Sequence, residues 1–379
     1  MYATMRLSKM IVFGSKPGNL CSRSFGISCR SKIMASFSHV CLHTFGYELP
    51  PNRLTSEDIE KRLAPLYQRL KLPEGRLEMM SGIRERRLWE PGTLPSQAAS
   101  KAGKNTIDAA GIDPGDVQCL IFSSVSRDMM EPATASFVHH ALGLPPDCLV
   151  FDVSNACLGF LDGLVLLGNM IELGQVENGL VVSGETAEEL VESTITNLLA
   201  DPGVTRKSIK SAFASLTIGS GAVGAFVCRS SSETSDRPRL TQASWRANTR
   251  YSDLCLGGQS APATTLMATD SEELLVQGIE TARDTWEVFS ADSGWSDADI
   301  DCYFCHQVGS AHARLLFERL GLTPGKNYET LAFLGNVGSV SAPITTAMAI
   351  EQKRFARNMK GAMLGIGSGI NCMMLGLEW

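Results

Sequence analysis

The second half of the chain repeats the first, and this repeat limits the folds open to the sequence. The segment AGIDPGDVQCLIFSSVS resembles SGWSDADIDCYFCHQVG, which pairs Cys119 with Cys302. Further along, SFVHHALGLPP resembles LLFERLGLTPG, and LTIGSGAVGAFVC resembles LGIGSGINCMMLG. Two similar halves predict a pseudo-twofold axis, with a site near the interface between them.

The two halves differ in length. The number of residues between a position in the first half and its match in the second half is smaller by roughly 30 near the C-terminal end of the repeat. The first half must therefore carry an extra segment. The stretch GETAEELVESTITNLLADPGVTRKSIKSAF lies where this insertion is required.

Short apolar runs alternate with helical patterns from Ser38 onward. The runs HVCLHTFGYEL, VQCLIFSSVS and CLVFDVSN are typical of strands, whereas TSEDIEKRLAPLYQRL, PSQAASKAGKNTIDAAGI and TASFVHHALGL are typical of helices. Near the C-terminus, AMLGIGSGINCMMLGL predicts a buried hairpin. This alternation indicates an α/β architecture.

Composition excludes several functions. A net charge of -6 over 379 residues gives no basic surface for nucleic acid. The eleven cysteines have irregular spacing inside apolar runs, which favours reduced thiols in a cytoplasmic protein. Cys302 and Cys305 form a C-x-x-C without a second pair at zinc-ligand spacing, so we expect no metal. No apolar run is long enough for an integral membrane segment.

Residues 1–34 differ from the rest, since they contain basic residues and serines but neither Asp nor Glu. This is the composition of an organellar transit peptide. The alternative, which we prefer because the segment lacks an amphipathic period, is a misassigned start with translation beginning at Met34. We expect these residues to be an extension, disordered if it is translated.

Cys157 lies in DVSNACLGFLDG, between an apolar run and a helical pattern. A cysteine in the first turn of a helix has a thiolate stabilised by the helix dipole, which lowers the thiol pKa. A nucleophile is one interpretation, and an inert core thiol is the other.

The second half places two further polar residues in matching positions. The repeat sets Asn336, in FLGNVGS, opposite Cys157, and His306 follows the run DCYFC. Both are predicted at the carboxyl ends of strands, where open α/β sheets form their sites. Alone, such a histidine is more often structural and such an asparagine a turn residue, but the three together favour an active site.

These segments resemble the thiolase-fold condensing enzymes of the β-ketoacyl-ACP synthase III type. NACLGF is similar to the nucleophile motif, CHQVGSAH to the histidine motif, GNVGSVSAP to the asparagine motif and SGIRERR to the early arginine-rich segment. The histidine motif departs from the family's His-Gln-Ala-Asn at Val308 and Gly309. The resemblance runs from about Ser38 to Trp379 and implies a thiolase-like fold in five αβαβα layers, with halves at 35–229 and 230–379.

Within this family, the bacterial olefin-pathway enzymes are most similar. They join two long-chain acyl-CoA molecules by a Claisen condensation without decarboxylation, and the resemblance implies a homodimer and no cofactor beyond acyl-CoA as substrate. Their glutamate reaches the neighbouring subunit's active site, and Glu131, in RDMMEPATAS, occupies the matching position. Without the resemblance, Glu131 is simply an acid before Pro132 at a helix start.

The resemblance also implies roles for the other residues. Cys157 carries the acyl group, and its N–H forms an oxyanion hole with a backbone N–H in GIGSG, where Ser368 is the expected donor. His306 and Asn336 stabilise the enolate. Arg84, Arg86 and Arg87 are predicted to bind a CoA phosphate or an acidic acyl carrier protein.

Three other functions remain open. The first is decarboxylative condensation of acyl-CoA with malonyl-ACP or malonyl-CoA, which needs no strong base. The second is a non-catalytic partner subunit, which the intact Cys157, His306 and Asn336 disfavour. The third is a thioesterase, in which the enolate-stabilising pair has no purpose.

Overall fold

The computed structural model describes residues 34–261 and 264–379, so the predictions for residues 1–33 lie outside the described part of the chain. The described residues belong to one compact unit. The strands are β1 Met34–Ser36, β2 Val40–Glu48, β3 Asn52–Thr55, β4 Glu85–Leu88, β5 Cys119–Ser123, β6 Leu149–Val153, β7 Asn178–Glu185, β8 Gly221–Arg229, β9 Arg239–Ala247, β10 Cys255–Ala261, β11 Thr264–Thr269, β12 Cys302–Cys305, β13 Lys360–Gly367 and β14 Asn371–Glu378. The helices are α1 Ser56–Arg62, α2 Ala64–Leu70, α3 Arg76–Ser81, α4 Pro95–Ala110, α5 Thr134–Leu142, α6 Gly159–Glu172, α7 Glu188–Ala200, α8 Ile209–Phe213, α9 Ser271–Ser293, α10 Ser310–Leu320, α11 Leu331–Leu334 and α12 Ser341–Glu351.

The sheet topology confirms the internal repeat. Ten strands pair in the order β12-β13-β14-β9-β2-β8-β7-β5-β6, with β1 beside β9. In the first half, β2 and β7 both pair with β8 in antiparallel directions, and β5 pairs with β7 in parallel. In the second half, β9 and β13 both pair with β14 in antiparallel directions, and β12 pairs with β13 in parallel. The halves meet where Cys41 pairs with Arg239.

The helices form layers around these strands. In the centre, α6 and α12 contact strands of both halves: Leu158 and Leu161 meet β13 at Gly365, while α12 packs on β2, β8, β12 and β13. Outside them, α4 and α5 cover the first half, and α9 covers the second with α10 beside it. The resulting order is helix, sheet, helix, sheet, helix, which confirms the five-layered thiolase-like fold.

The extra segment of the first half lies between β7 and β8 and forms α7 and α8. In the second half the corresponding strands, β13 and β14, are joined directly as an antiparallel hairpin, which was also predicted. The side chains of α7 and α8 pack against α1 and α2 in a separate apolar cluster around Ile59, Val191 and Phe213. The insertion therefore adds a helical cap to one half of the fold.

Two local predictions were wrong. The helix predicted over 55–70 is two helices, because the chain leaves helical geometry at Leu63, before Pro65, which occupies the first turn of α2. The run before Asn336 is the short helix α11 rather than a strand. A short apolar run has no hydrophobic period that distinguishes a helix from a strand. In this structure the oxygen of the buried Gln307 carboxamide accepts the N–H groups of Thr330 and Leu331, which stabilises the start of the helix.

Candidate active site

Cys157 lies in a tight turn between the end of β6 and the start of α6, as predicted. Leu158 N donates to Asn155 O across this turn at 2.9 Å. Ala156 has a φ of 45°, a left-handed conformation that is unfavourable for a residue with a side chain. Non-glycine residues held in this way are concentrated at functional sites, where surrounding contacts enforce the geometry.

Two side-chain amides enforce this geometry. Asn155 Nδ2 donates to Asp162 Oδ2 at 2.9 Å, and Asn371 Nδ2 donates to Asn155 Oδ1 at 2.9 Å. Burial raises the pKa of Asp162 to about 6. The chain of contacts connects α6, the nucleophile turn and the start of β14, so it ties the two halves together next to Cys157.

The turn that contains Ser368 lies directly against the nucleophile turn. A Cβ added at Gly367 would lie 3.6 Å from Cys157 N and 3.1 Å from Leu158 Cγ, and one at Gly365 would lie 2.4 Å from Leu158 Cδ2. Glycine at these two positions lets the backbones of the two turns approach each other. The Ser368 and Cys157 backbones therefore border the same space, as an oxyanion hole requires.

His306 follows β12, and its N–H donates to Leu364 O at 2.8 Å. Its imidazole is buried, and neither ring nitrogen has a hydrogen-bond partner among the described residues. Burial, with a smaller effect of the nearby His312, lowers the pKa of His306 to about 4. The ring is therefore neutral near pH 7, with one N–H donor and one acceptor available to a ligand.

Asn336 is held by its backbone: its N–H donates to Thr217 O at 3.0 Å, and its carbonyl accepts Gly219 N at 2.8 Å. Its Oδ1 accepts Gly338 N at 3.1 Å, so Nδ2 is the side-chain donor left for a ligand. A neutral imidazole and an amide N–H₂ are suited to stabilising an oxyanion through hydrogen bonds.

One cavity of about 1820 Å³ brings these residues together. Cys157, His306, Asn336 and Ser368 all line it. Met80, Met129 and Met130 contribute apolar wall residues, of which Met130 is 94% exposed. Residues of the inserted segment form another part of the wall.

The prediction of a lowered thiol pKa was wrong. Burial, followed by the nearby Glu185 carboxylate and the Cys255 thiol, raises the pKa of Cys157 to about 12. Cys157 precedes α6 by two residues rather than lying in its first turn, so the helix dipole does not outweigh desolvation. The resting group is a protonated thiol.

We therefore expect iodoacetamide to alkylate Cys157 slowly near neutral pH, with a rate that rises about tenfold per pH unit from about pH 7 to pH 10. Peptide mass spectrometry across this range measures the rate at Cys157. A plateau below about pH 8 would show a thiolate in the resting protein and contradict this assignment.

The three arginines occupy different environments. Arg86 is fully buried, donates to Leu54 O at 3.2 Å and Ser56 Oγ at 3.1 Å, and has its pKa lowered to about 10 by burial. Its predicted role in substrate binding was wrong, because the guanidinium holds β3 and α1 together inside the fold. Arg87 donates to Pro50 O, and Arg84 is exposed. Within the described chain neither lines the cavity, and their substrate contacts stay predictions.

Arg86→Ala should lower the free energy of unfolding by about 2–4 kcal/mol, because it leaves a cavity and removes the guanidinium donors to Ser56 Oγ and Leu54 O. Denaturant unfolding measures this change, and Arg84→Ala serves as the exposed comparison, with an effect within about 0.5 kcal/mol. A raised KM for acyl-CoA in an Arg86→Ala protein of unchanged stability would restore the binding role.

Glu131 is exposed, and within the described chain it does not belong to the cavity wall. Its loop runs from Ser124 to Ala133, between β5 and α5, and the neighbouring Met129 and Met130 reach the cavity. The Asp152 carboxylate on β6 accepts the N–H groups of Thr134 and Ala135 at 2.8 Å, which fixes the end of this loop.

Sequence reasoning missed the polar residues that support the site. The most notable is Glu185, a buried acid at the end of β7 that lines the cavity. Asn155 and Asn371 were quoted within motifs without a role. An acid after an otherwise apolar strand, in VVSGE, is the signal that could have found Glu185.

Comparisons with known proteins place this chain in a family. The family model for the C-terminal domain of 3-oxoacyl-[acyl-carrier-protein] synthase III matches residues 290–379, and that for synthase III matches residues 151–204. An acyl-CoA:acyl-CoA alkyltransferase of Shewanella oneidensis is 40% identical over 90% of this chain and 99% of its own. A protein of the same name from Xanthomonas campestris is 35% identical over 90% of this chain and 99% of its own.

Solved structures show the same fold. Cerulenin-bound Xanthomonas campestris OleA has a TM-score of 0.86 and 35% identity, covering 91% of this chain and 98% of its own. A 3-oxoacyl-(acyl carrier protein) synthase III, FabH, from Xanthomonas oryzae has a TM-score of 0.86 and 34% identity, covering 91% of this chain and 100% of its own.

The duplicated fold, with a cysteine, a histidine and an asparagine around one cavity, defines a thiolase-like acyltransferase of the 3-oxoacyl synthase type. Within that class the chain belongs to the family of the acyl-CoA:acyl-CoA alkyltransferases, which it matches along nearly their whole length.

Proposed function

We propose that this protein condenses two long-chain acyl-CoA molecules, without decarboxylation, to a 2-alkyl-3-ketoacyl-CoA. The observation that carries the proposal is the convergence of Cys157, His306, Asn336 and Ser368 on one cavity of about 1820 Å³. Pockets for a single drug-sized ligand are usually about 300–1,000 Å³, so this one has room for more than one chain. The 40% identical relative is named for a reaction between two acyl-CoA molecules.

In the first half-reaction, Cys157 Sγ attacks the thioester carbonyl of one acyl-CoA. The oxyanion forms between the Cys157 and Ser368 N–H groups, and the carbon–sulfur bond to CoA breaks to leave an acyl-cysteine. Because the resting thiol is protonated, its proton must leave as the bond forms. The leaving CoA thiolate is the acceptor that the overall reaction supplies.

In the second half-reaction, a base removes an α-proton from a second acyl-CoA. His306 and Asn336 donate hydrogen bonds to the enolate oxygen, which stabilises the charge as it develops. The carbanion then attacks the acyl-cysteine carbonyl to form the carbon–carbon bond, and the carbon–sulfur bond to Cys157 breaks. The proton that the base removed returns to the Cys157 thiolate, which restores the resting thiol and the free base. The chemistry requires no cofactor beyond the two acyl-CoA molecules.

We assign the base to Glu131 of a second copy of this chain. Solved structures of Xanthomonas campestris OleA include one variant substituted at a glutamate and another substituted at a cysteine. In that protein the glutamate precedes the cysteine by the same number of residues as Glu131 precedes Cys157 in this chain. The exposed Glu131 carboxylate is accessible to a second copy of the chain. Because Glu131 lies outside the cavity wall of its own chain, we assign its action to the cavity of the second copy.

The edge of the sheet supports a homodimer. β6 ends the strand order, and it presents unpaired backbone groups on its outer side. Large apolar side chains are exposed on β6 and on the loop and helices that adjoin it: Val125, Met129, Met130, Phe137, Leu149 and Leu166. A second copy paired along β6 would cover these side chains and bring the two Glu131 loops to the shared boundary.

We further propose that the protein acts in the cytoplasm. The nine cysteines within the described residues are all free thiols, as a reducing compartment allows. None of the described helices has the length and apolar character needed to cross a membrane.

The test supplies purified protein with myristoyl-CoA alone. We expect release of free CoA and accumulation of a 2-alkyl-3-ketoacyl product, measured with a thiol reagent and by mass spectrometry. Turnover that requires an added malonyl thioester would contradict the proposal.

The second candidate is a decarboxylating synthase III reaction, which the similar protein from Xanthomonas oryzae, named as that synthase, favours. That reaction obtains its carbanion by loss of CO₂, so it does not depend on Glu131. Malonyl-ACP and malonyl-CoA, offered separately with an acyl-CoA primer, distinguish carrier protein from CoA as the donor.

A further inference from the structure

Glu185 is a buried carboxylate in the wall of the active-site cavity. It is the last residue of β7 and is 4% exposed. Its side chain lies near Cys157, close enough to influence the thiol electrostatically. The proposed reaction assigns it no part.

Five hydrogen bonds surround this carboxylate. Oε1 accepts Val125 N at 2.9 Å, Ser339 N at 3.2 Å and Ser339 Oγ at 2.7 Å. Oε2 accepts Ser126 N at 3.1 Å and Ser126 Oγ at 3.0 Å. Both carboxylate oxygens are therefore occupied by donors of the surrounding protein.

The donors come from two loops with distinct roles. Val125 and Ser126 begin the loop that carries Glu131. Ser339 follows Asn336 by one turn, and its hydroxyl lies 3.1 Å from Ser123 O at the end of β5. The pocket around the carboxylate is closely fitted, since a Cβ added at Gly338 would lie 2.9 Å from Glu185 Oε1.

We propose that Glu185 is a positioning residue for carbon–carbon bond formation, which fixes the Glu131 loop and the Asn336 loop relative to each other beside Cys157. The inference rests on the proposed condensation. In the proposed dimer each Glu185 holds the enolate donors of its own cavity and the loop that presents Glu131 to the other cavity. The α-proton must lie between a base from one copy and enolate donors from the other, so a shift of either loop from its place in its own chain misaligns the second half-reaction. Acylation uses the Cys157 and Ser368 backbones, which lie in neither loop.

Glu185→Gln disrupts this arrangement with little change in volume. Whichever way the amide is turned, its N–H₂ group faces backbone N–H donors, either Ser126 N or Val125 and Ser339 N. We expect the condensation rate to fall by about 100-fold, while the rate of acyl-enzyme formation changes by less than about threefold. Intact-protein mass spectrometry measures acylation, and formation of the 2-alkyl-3-ketoacyl product measures condensation.

The pH profile of Cys157 alkylation distinguishes a positioning role of Glu185 from a general loosening of the fold around it. Removing the negative charge at Glu185 should shift the profile to lower pH, whereas Ser339→Ala keeps the charge and should leave the profile in place while still slowing condensation. Glu172→Gln is the matched control, because Glu172 also accepts two backbone N–H groups, of Ser38 and His39, away from the cavity. Both rates and the profile should be unchanged in this control.

The outcomes separate the two proposals. If the wild-type protein condenses acyl-CoA but Glu185→Gln and Ser339→Ala condense at the wild-type rate, the positioning role is wrong and the function stands. If Glu185→Gln slows acylation as much as condensation, the role is wrong as well. If the wild-type protein forms the acyl-enzyme but no condensation product, the proposed function itself fails.

Discussion

Cys157→Ala should abolish acyl-enzyme formation and reduce condensation by at least about 10⁴-fold, because no other group can take the acyl chain at this position. Incubation with myristoyl-CoA followed by intact-protein mass spectrometry should show the acyl adduct on the wild-type chain and none on the variant. Cys228→Ala, which removes a thiol from β8 outside the cavity wall, serves as the control and should form the adduct normally.

An acyl adduct on Cys157→Ala would move the nucleophile elsewhere. Cys255 and Cys305 are then the next thiols to examine, since both line the same cavity. Peptide mapping of the adduct would decide between them.

Glu131→Ala should leave acylation intact and lower condensation by about 10²–10⁴-fold, the usual contribution of a general base. The variant should accumulate acyl-cysteine from myristoyl-CoA, because the second half-reaction fails after the first succeeds. Undiminished condensation by Glu131→Ala would show that another group removes the α-proton, or that the carbanion has a different source.

A separate experiment tests whether Glu131 acts in the active site of the neighbouring subunit. Chains carrying Cys157→Ala and chains carrying Glu131→Ala are each inactive, but a mixed dimer contains one site with both an intact Cys157 and an intact Glu131. Random association of equal amounts should restore roughly a quarter of the wild-type rate. If purified mixed dimers are as inactive as either parent, Glu131 does not act across the interface.

Much of the fold could be predicted from the sequence, because the evidence was local or repeated. The two halves share letters at matching positions, and their strands have the same order and directions. The junction at Cys157 and the strand before His306 follow from apolar runs with clear ends. Asn336 was matched to Cys157 by the repeat, even though a helix precedes it.

Properties that depend on burial could not be predicted. The helix dipole suggested a lowered pKa for Cys157, but desolvation raises it. The sequence SGIRERR presents Arg86 among other arginines, and only packing shows that its guanidinium is enclosed. Glu185 gathers donors from loops that are far apart in the chain, so no short motif marks its role.

The central claim is that both chains of the product come from acyl-CoA. An equal mixture of ordinary myristoyl-CoA and myristoyl-CoA deuterated at its terminal methyl group tests it most directly, by mass spectrometry of the condensation product. If two acyl-CoA molecules combine, the product appears at three masses, with the mixed species most abundant. If products form only after a malonyl thioester is added, and then at only two masses, one chain comes from the malonyl donor and the account is wrong.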